Sequence, residues 1–470
     1  MTGWLILLGA LYLALLVFAT IRARENNKTA SDYIFAGSNV GLTLGFLTYA
    51  ASLFSTFTLL GMPDFFRNHG IGSWIFLAVS DAGMTFVIVW FGLHLRRRAA
   101  KFGFKGVAGL LTECYQSRWA GYLYFFGIFI FLVPYVAVQI RGVGIFLDAI
   151  FPDILPTWTW ICIIVLGMLT YSELGGLKAI IYSDAMQGTV LFVVTSVIAY
   201  NCLKNLGGVQ SIFEQVANTN IELLSVPGPE GLFTFQFLLA SFLVILMVPV
   251  TQPQLTTRLV IIRDLKTLNQ MALAVGIFAL LLILMIIPIG LYGAVLYAEA
   301  PVMEYLRQTI IVDQSPIIAA AAVIGLIAAA MSTADSQLFA LGTELKSLLS
   351  GDDEKLMLVT KFAILCFAFA SFWVAVLSDN QLVLLARVSF AGTAMLAPFV
   401  ILGIVMDYPQ GKAIIFATGV GLFLFLGSLI GFVSPTIALV RLDLFLLVVL
   451  SIVAMASAVF NYFAQITHDS

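Results

Sequence analysis

Charge is what this sequence has least of. Only 10% of its 470 residues are Asp, Glu, Lys or Arg, against about 25% in soluble domains. The chain is 61% hydrophobic with a mean hydropathy of +1.05. Such a composition cannot cover a globule with polar surface, so a lipid bilayer must be its solvent and first partner. The formal net charge of −2 says little about partners, and no basic patch suggests nucleic acid. Cysteine is equally sparse: Cys114, Cys162, Cys202 and Cys366 lie far apart with no CxxC spacing, which indicates neither a disulfide framework nor a zinc site. His69, His94 and His468 have no partner ligands at metal-binding spacing. There is no GxxxxGK[ST] phosphate loop, no catalytic dyad and no metal cluster, so an enzyme is not expected.

Long apolar runs are abundant. Helices are predicted near 3–20, 41–61, 72–95, 120–149, 157–172, 180–202, 234–256, 271–297, 316–348, 357–377, 381–406, 411–433 and 441–464. The chain therefore reads as an all-α multi-pass membrane protein of about 13 spans. The first run is preceded by "MTGW" and followed by the basic "IRARENNK", so it reads as a retained helix with its N-terminus outside. In that orientation the inside loops hold Arg22, Arg24, Lys28, Arg96, Arg97, Arg98, Arg258 and Arg263 among others. Arg67, Lys204, Arg307 and Arg441 fall outside. The excess inside is about fourfold, as the positive-inside rule requires. No loop is long enough for a second domain. Residues 1–30 form a leading helix, 31–202 and 234–406 two sets of five spans separated by an extracellular loop at 203–233, and 407–470 two trailing helices.

Two of these helices read as broken. "TYAASLFSTFTLLGMP" has small and hydroxyl residues at its centre, and "MVPVTQPQLTTR" sets Pro249 and Pro253 around Thr251 and Gln252. Proline removes a backbone donor, and freed backbone groups at membrane depth must face protein or a water-filled cavity. Paired interruptions at corresponding places in two halves point to an inverted-repeat transporter with its site at the breaks. Ordinary proline kinks are the alternative.

One further stretch is polar where its neighbours are not. In "IAAAMSTADSQLFALGTELK", residues Ala329, Ser332, Thr333 and Ser336 share a helical face, with Asp335 at its edge. Hydroxyls and a carboxylate are hard oxygen ligands for a hard cation. A bare monovalent ion takes about five oxygens, the remainder expected from carbonyls at the 51–54 break. Interhelical Ser/Thr bonding would explain the hydroxyls without an ion, but not an intramembrane acid. Asp184 is a second such acid. It is expected on a cation exit route, or as a helix N-terminal residue favoured by the dipole.

"SDYIFAGSNVG", "GGLKAIIYSDAMQ", "QPQLTTR" and "MSTADSQL" together resemble the sodium:solute symporter family, from about residue 31 to 430. The resemblance implies a leucine-transporter-type 5+5 inverted repeat with one extra helix in front and two behind. It implies Na+ as the coupling ion, held by carbonyls of Ala51, Phe54 and Ala329 and hydroxyls of Ser332 and Thr333. Asp184 matches the acid of the family's "TDxxQ", with Ser183 in place of threonine. With Ser336 it resembles a second cation position found in some members. Sialic acid carriers tend to have serine where this chain has Asp335. Solute contacts are expected from Ser52, Ser55 and Thr56 at the first break, from Gln252 and Gln254 at the second, and from Gln139 and Arg141 of "VPYVAVQIRGVG". "PYxAxQ" is similar to the pantothenate and monocarboxylate branch. Leu53 stands where proline carriers have an acid. Arg141 and Arg387 lie within predicted spans and suit a carboxylate, or else pair with Asp81. The expected activity is sodium-coupled import of a small carboxylate-bearing solute (monocarboxylate, pantothenate or amino acid) by a monomer in a bacterial cytoplasmic membrane, C-terminus inside. A nutrient sensor acting with a separate signalling partner, and a proton-coupled symporter of the same fold, are the alternatives.

Overall fold

The computed structural model describes residues 1–25, 29–378, 382–407, 409–437 and 439–469. Lys28 and the first residue of the helix predicted at 381–406 lie outside them. Ten helices among the described residues are long and apolar enough to span a bilayer, and two bent pairs bring the count to 12. The element Thr157–Asn205 has 49 residues. A straight helix of that length would measure about 74 Å, more than twice the hydrocarbon thickness. It turns at Gly176 (φ 60°, ψ −156°) and so supplies two crossings. Counted as two, this element takes the candidate crossings among the described residues from 12 to 13. Large apolar side chains such as Phe86, Phe416 and Phe432 remain exposed at 79%, 74% and 85%, which suits a lipid-facing wall.

Gly176 is the hinge that makes this topology possible. Its dihedrals belong to a region that only glycine enters without strain. A Cβ there would also sit 2.6 Å from the Tyr33 ring and from the Tyr33 carbonyl oxygen. Gly176→Ala is therefore expected to destabilise the protein by at least about 1–3 kcal/mol. A melting temperature in detergent equal to that of the parent would show that the turn tolerates a side chain.

Both broken helices are observed. Leu42–Leu53 and Phe57–His69 meet at 57°, and Phe235–Thr251 and Pro253–Ile261 at 54°. The first break opens where Phe54 becomes extended (φ −95°, ψ 128°). Local hydroxyls satisfy the freed backbone: Ser55 N–H donates to Thr58 Oγ1 (3.0 Å) and Phe57 N–H to Ser55 Oγ (3.2 Å). One π turn then follows over Phe57–Gly61. At the second break Gln252 is extended (φ −92°, ψ 116°), as the residue before a proline prefers. Tyr124 OH donates to the Thr251 carbonyl (3.0 Å).

Several charges assigned by sequence to loops lie inside the fold. Arg258 is 1% exposed, so its placement in an inside loop is corrected: the second half of the bent span carries it into the core. Arg98 is 7% exposed and donates to the Ile404 and Val405 carbonyls, and Arg96 to those of Leu259, Val260 and Ile262. Each arginine thus closes the C-terminal end of a helix, whose last carbonyls lack intrahelical donors. Arg67 donates to the carbonyl of Tyr297 (2.9 Å), the cap of Leu265–Leu296, and to that of Ala300 (2.8 Å) in the loop beyond it. At the opposite polarity, Glu344 accepts from the N–H groups of Val107 (2.9 Å) and Ala108 (2.7 Å), capping the helix Val107–Tyr115. In the loop before Leu265–Leu296, the Thr267 N–H holds the Asp264 carboxyl below its ordinary range, with help from Arg263.

Candidate ion and solute site

The long helix Pro316–Ser347 crosses the first broken span at its break. The end of Leu42–Leu53 leaves carbonyls with no helical donor. Two hydroxyls of the crossing helix meet one of them: Ser332 Oγ lies 3.1 Å and Thr333 Oγ1 3.4 Å from the Ala51 carbonyl oxygen. Ser332 Oγ is also 3.0 Å from the Ala329 carbonyl oxygen. Four of the five residues expected to cage sodium are thus within hydrogen-bond reach of one another, all at most 1% exposed. Phe54, the fifth, ends the helix, and its N–H donates to Ala50 (2.9 Å). Gly188 permits this crowding, since a Cβ there would sit 3.2 Å from the Ala51 Cβ. The donor set is hydroxyl and carbonyl oxygen only, which fits a hard alkali cation. To serve as ligands, Ser332 and Thr333 would turn their hydrogens outward and present lone pairs to the ion.

A charged cluster lies beside this cage. Asp184 and Arg258 form an ion pair at 2.7 Å with side chains 0% and 1% exposed. Thr48 Oγ1 donates to Asp184 Oδ2 (2.5 Å) and accepts from Arg258 Nε (2.9 Å). Arg258 Nη2 also donates to Ser336 Oγ (2.8 Å), and Nη1 to the Gln254 carbonyl (2.8 Å). Ser52 Oγ lies 3.5 Å from Asp184 Oδ2 and 3.3 Å from Ser336 Oγ. The residues expected to form a second cation position are therefore bridged by a guanidinium that the sequence reading had put in a loop. Asp335 faces another way. Tyr171 OH donates to its Oδ2, and its Oδ1 has no hydrogen-bond partner among the described residues. Gln187 Nε2 donates to Tyr12 OH nearby (2.8 Å), and Tyr12 OH contacts Met331 Sδ (3.7 Å).

The residues expected to bind solute divide into three groups. Ser55 and Arg387 line a cavity of about 100 Å³, which the Phe54–Ser55 break and Tyr135 also bound. Ser52, Thr56, Gln139, Gln252 and Gln254 do not line it. Gln139 instead clamps the first break, accepting from Thr56 N–H (3.1 Å) through Oε1 and from Thr56 Oγ1 (3.3 Å) through its carbonyl. Gln254 Nε2 donates to Gln252 Oε1 (2.5 Å) across the second break. Arg141 takes a third course and does not line that cavity either. It donates to the Ala375 and Val376 carbonyls at the end of Asp353–Leu377, because a cation at a helix C-terminus satisfies open carbonyls. Asp81, offered as a partner for either arginine, pairs with neither among the described residues and lines the cavity instead. Thr48, Tyr171 and Arg258 join the site although no motif in the sequence marks them for it. Thr48 lies four residues before Ser52, hence on the same helical face, and Arg258 follows "QPQLTT" inside the span; these spacings were the available signals.

Bent spans from two halves, crossing over an oxygen cluster, are the architecture of the leucine-transporter-type inverted repeat. The fold matches a Na+-coupled sialic acid symporter solved in a substrate-bound outward-open state, with a TM-score of 0.79 at 17% identity over 97% of this chain and 96% of that one. The model of the sodium:solute symporter family matches residues 33–410, and the chain belongs to that family. The sodium/pantothenate symporter of Haemophilus influenzae is 23% identical over 329 residues, 68% of this chain and 66% of that protein. The high-affinity proline transporter of Bacillus subtilis is 23% identical over 407 residues, 81% of this chain and 83% of that protein. A second sodium/pantothenate symporter, from Escherichia coli, is 21% identical over 53% of this chain, which spans 51% of that protein's length.

Proposed function

We propose that this protein is a sodium-coupled symporter that imports a small carboxylate-bearing solute by alternating access. The convergence of the Ser332 and Thr333 hydroxyls on the Ala51 carbonyl carries the reading. A cation there ties the first broken span to Pro316–Ser347 and fixes the break whose far side lines the cavity. Ordering that break before the solute arrives raises solute affinity, and the coupling is reciprocal. Arg387 lines the cavity and supplies the guanidinium for the carboxylate. The pantothenate and proline relatives transport carboxylate-bearing solutes, which supports that class. One set of spans rocks against the other to release both cargoes. Inward movement of one positive charge gains about 2.3 kcal/mol per 100 mV of membrane potential. The protein works as a monomer in a bacterial inner membrane, N-terminus outside and C-terminus inside, without nucleic acid. The orientation rests on the remaining basic loop residues, Arg258 having left that set.

The test is uptake into reconstituted vesicles of labelled pantothenate, proline and lactate, under an inward sodium gradient and in choline. Accumulation of one of them only with sodium is the expected outcome. Equal accumulation in choline with a proton gradient would replace sodium by protons. No accumulation with tight binding retained would favour a sensor.

A further inference from the structure

The cavity at the first break contains an acid with no charged partner among the described residues. Its charged side chains are Asp81, Arg387 and Asp443. Arg387 is already turned to Asp443, with Nη2 3.9 Å from Oδ2, and its guanidinium lies 4.9 Å over the Phe237 ring. Arg441 grips the same Asp443 through Nε (3.1 Å) and Nη2 (2.5 Å). Asp81 is 6% exposed, and among the described residues no hydrogen bond or ion pair reaches its carboxylate. Around it the wall is aromatic: Tyr135 and Phe390 pack at 4.7 Å, Phe76 and Phe237 edge to face at 5.5 Å.

A buried carboxylate without a partner is costly. A proton relieves it while the cavity is empty, and a cation arriving with the solute relieves it by displacing that proton; aromatic faces beside a carboxylate favour an organic ammonium. A solute bearing only a carboxylate would meet two acids and one base in this cavity. We infer that Asp81 binds a positively charged nitrogen on the solute, so that the transported molecule is a zwitterion with its carboxylate toward Arg387. This rests on the symporter reading and narrows its carboxylate class to amine-bearing acids. Asp81 becomes a specificity-determining residue on a helix that neither break contains.

The experiment measures thermal stabilisation of the full chain in detergent and sodium by three matched triplets. These are L-proline with cyclopentanecarboxylate and pyrrolidine, L-valine with 3-methylbutanoate and isobutylamine, and 4-aminobutyrate with butyrate and propylamine. The amino acid of at least one triplet is expected to stabilise most. Asp81→Asn is expected to weaken that amino acid about 30-fold or more while sodium alone still stabilises the variant. Acids that bind as well as their amino partners, or more tightly as pH falls, would overturn the role of Asp81 and leave the carboxylate reading standing. Amines that bind as well as the amino acids would support Asp81 and overturn the carboxylate. No shift from any member would overturn both. If Asp81→Asn does not fold, the ranking within the wild-type triplets decides alone.

Discussion

The double substitution Ser332→Ala, Thr333→Ala is expected to abolish sodium-driven uptake and sodium's stabilising effect while leaving a folded protein. Both hydroxyls lie within 3.5 Å of the Ala51 carbonyl oxygen. Each is worth about 1.5–3 kcal/mol when its partner is charged. Losing two lowers sodium affinity by about 100-fold or more. The structural cost is smaller: one buried carbonyl left without a donor costs about 1–3 kcal/mol. The measurement is melting temperature against sodium concentration for parent and variant, with choline as control. If the hydroxyls are only interhelical glue, the variant will melt lower in choline and in sodium alike, with the sodium-dependent rise intact. That outcome would remove the cage. A selective loss of the rise would not be explained by packing.

How much of this was legible in the sequence depends on the range of the signal. The breaks were legible because proline before residue 254 and hydroxyls at 52–56 act on their own backbone. The shared face of Ala329, Ser332 and Thr333 was legible because helical periodicity is local. Long-range partners were not. Nothing within ten residues of Arg258 says that it meets Asp184, 74 positions away. A basic residue near a predicted span end looks like a loop charge. It became a core residue because the bend of 54° redirected Pro253–Ile261. Arg141 shows the same limit. An intramembrane arginine reads as a solute ligand, yet the Ala375 carbonyl that it satisfies belongs to a helix 234 residues away. Asp81 was visible as an acid inside a span, but its lack of a partner appears only once the neighbouring helices are in place.

The buried pair yields the largest expected effect on stability. Asp184→Ala leaves the Arg258 guanidinium with only Thr48, Ser336 and the Gln254 carbonyl, all neutral. An uncompensated buried charge costs about 3–5 kcal/mol, which exceeds a third of the stability of many domains. Arg258→Met should be comparably damaging, because Asp184 then keeps only the Thr48 and Ser52 hydroxyls. Removing both charges, as Asp184→Ala with Arg258→Met, should cost much less than the two single losses added together, since no charge is left stranded. Additive losses in melting temperature would show that the pair is not coupled. The same geometry bears on ion count. Arg258 Nη2 lies 2.7 Å from Asp184 and 2.8 Å from Ser336, so an added cation between those residues would meet a guanidinium. At about 4 Å the repulsion is about 4 kcal/mol in a dielectric of 20. Sodium activation of uptake is therefore expected to follow a Hill coefficient of about one. A coefficient near two that falls to one in Asp184→Asn would mean that the guanidinium swings away during the cycle and a second ion takes its place.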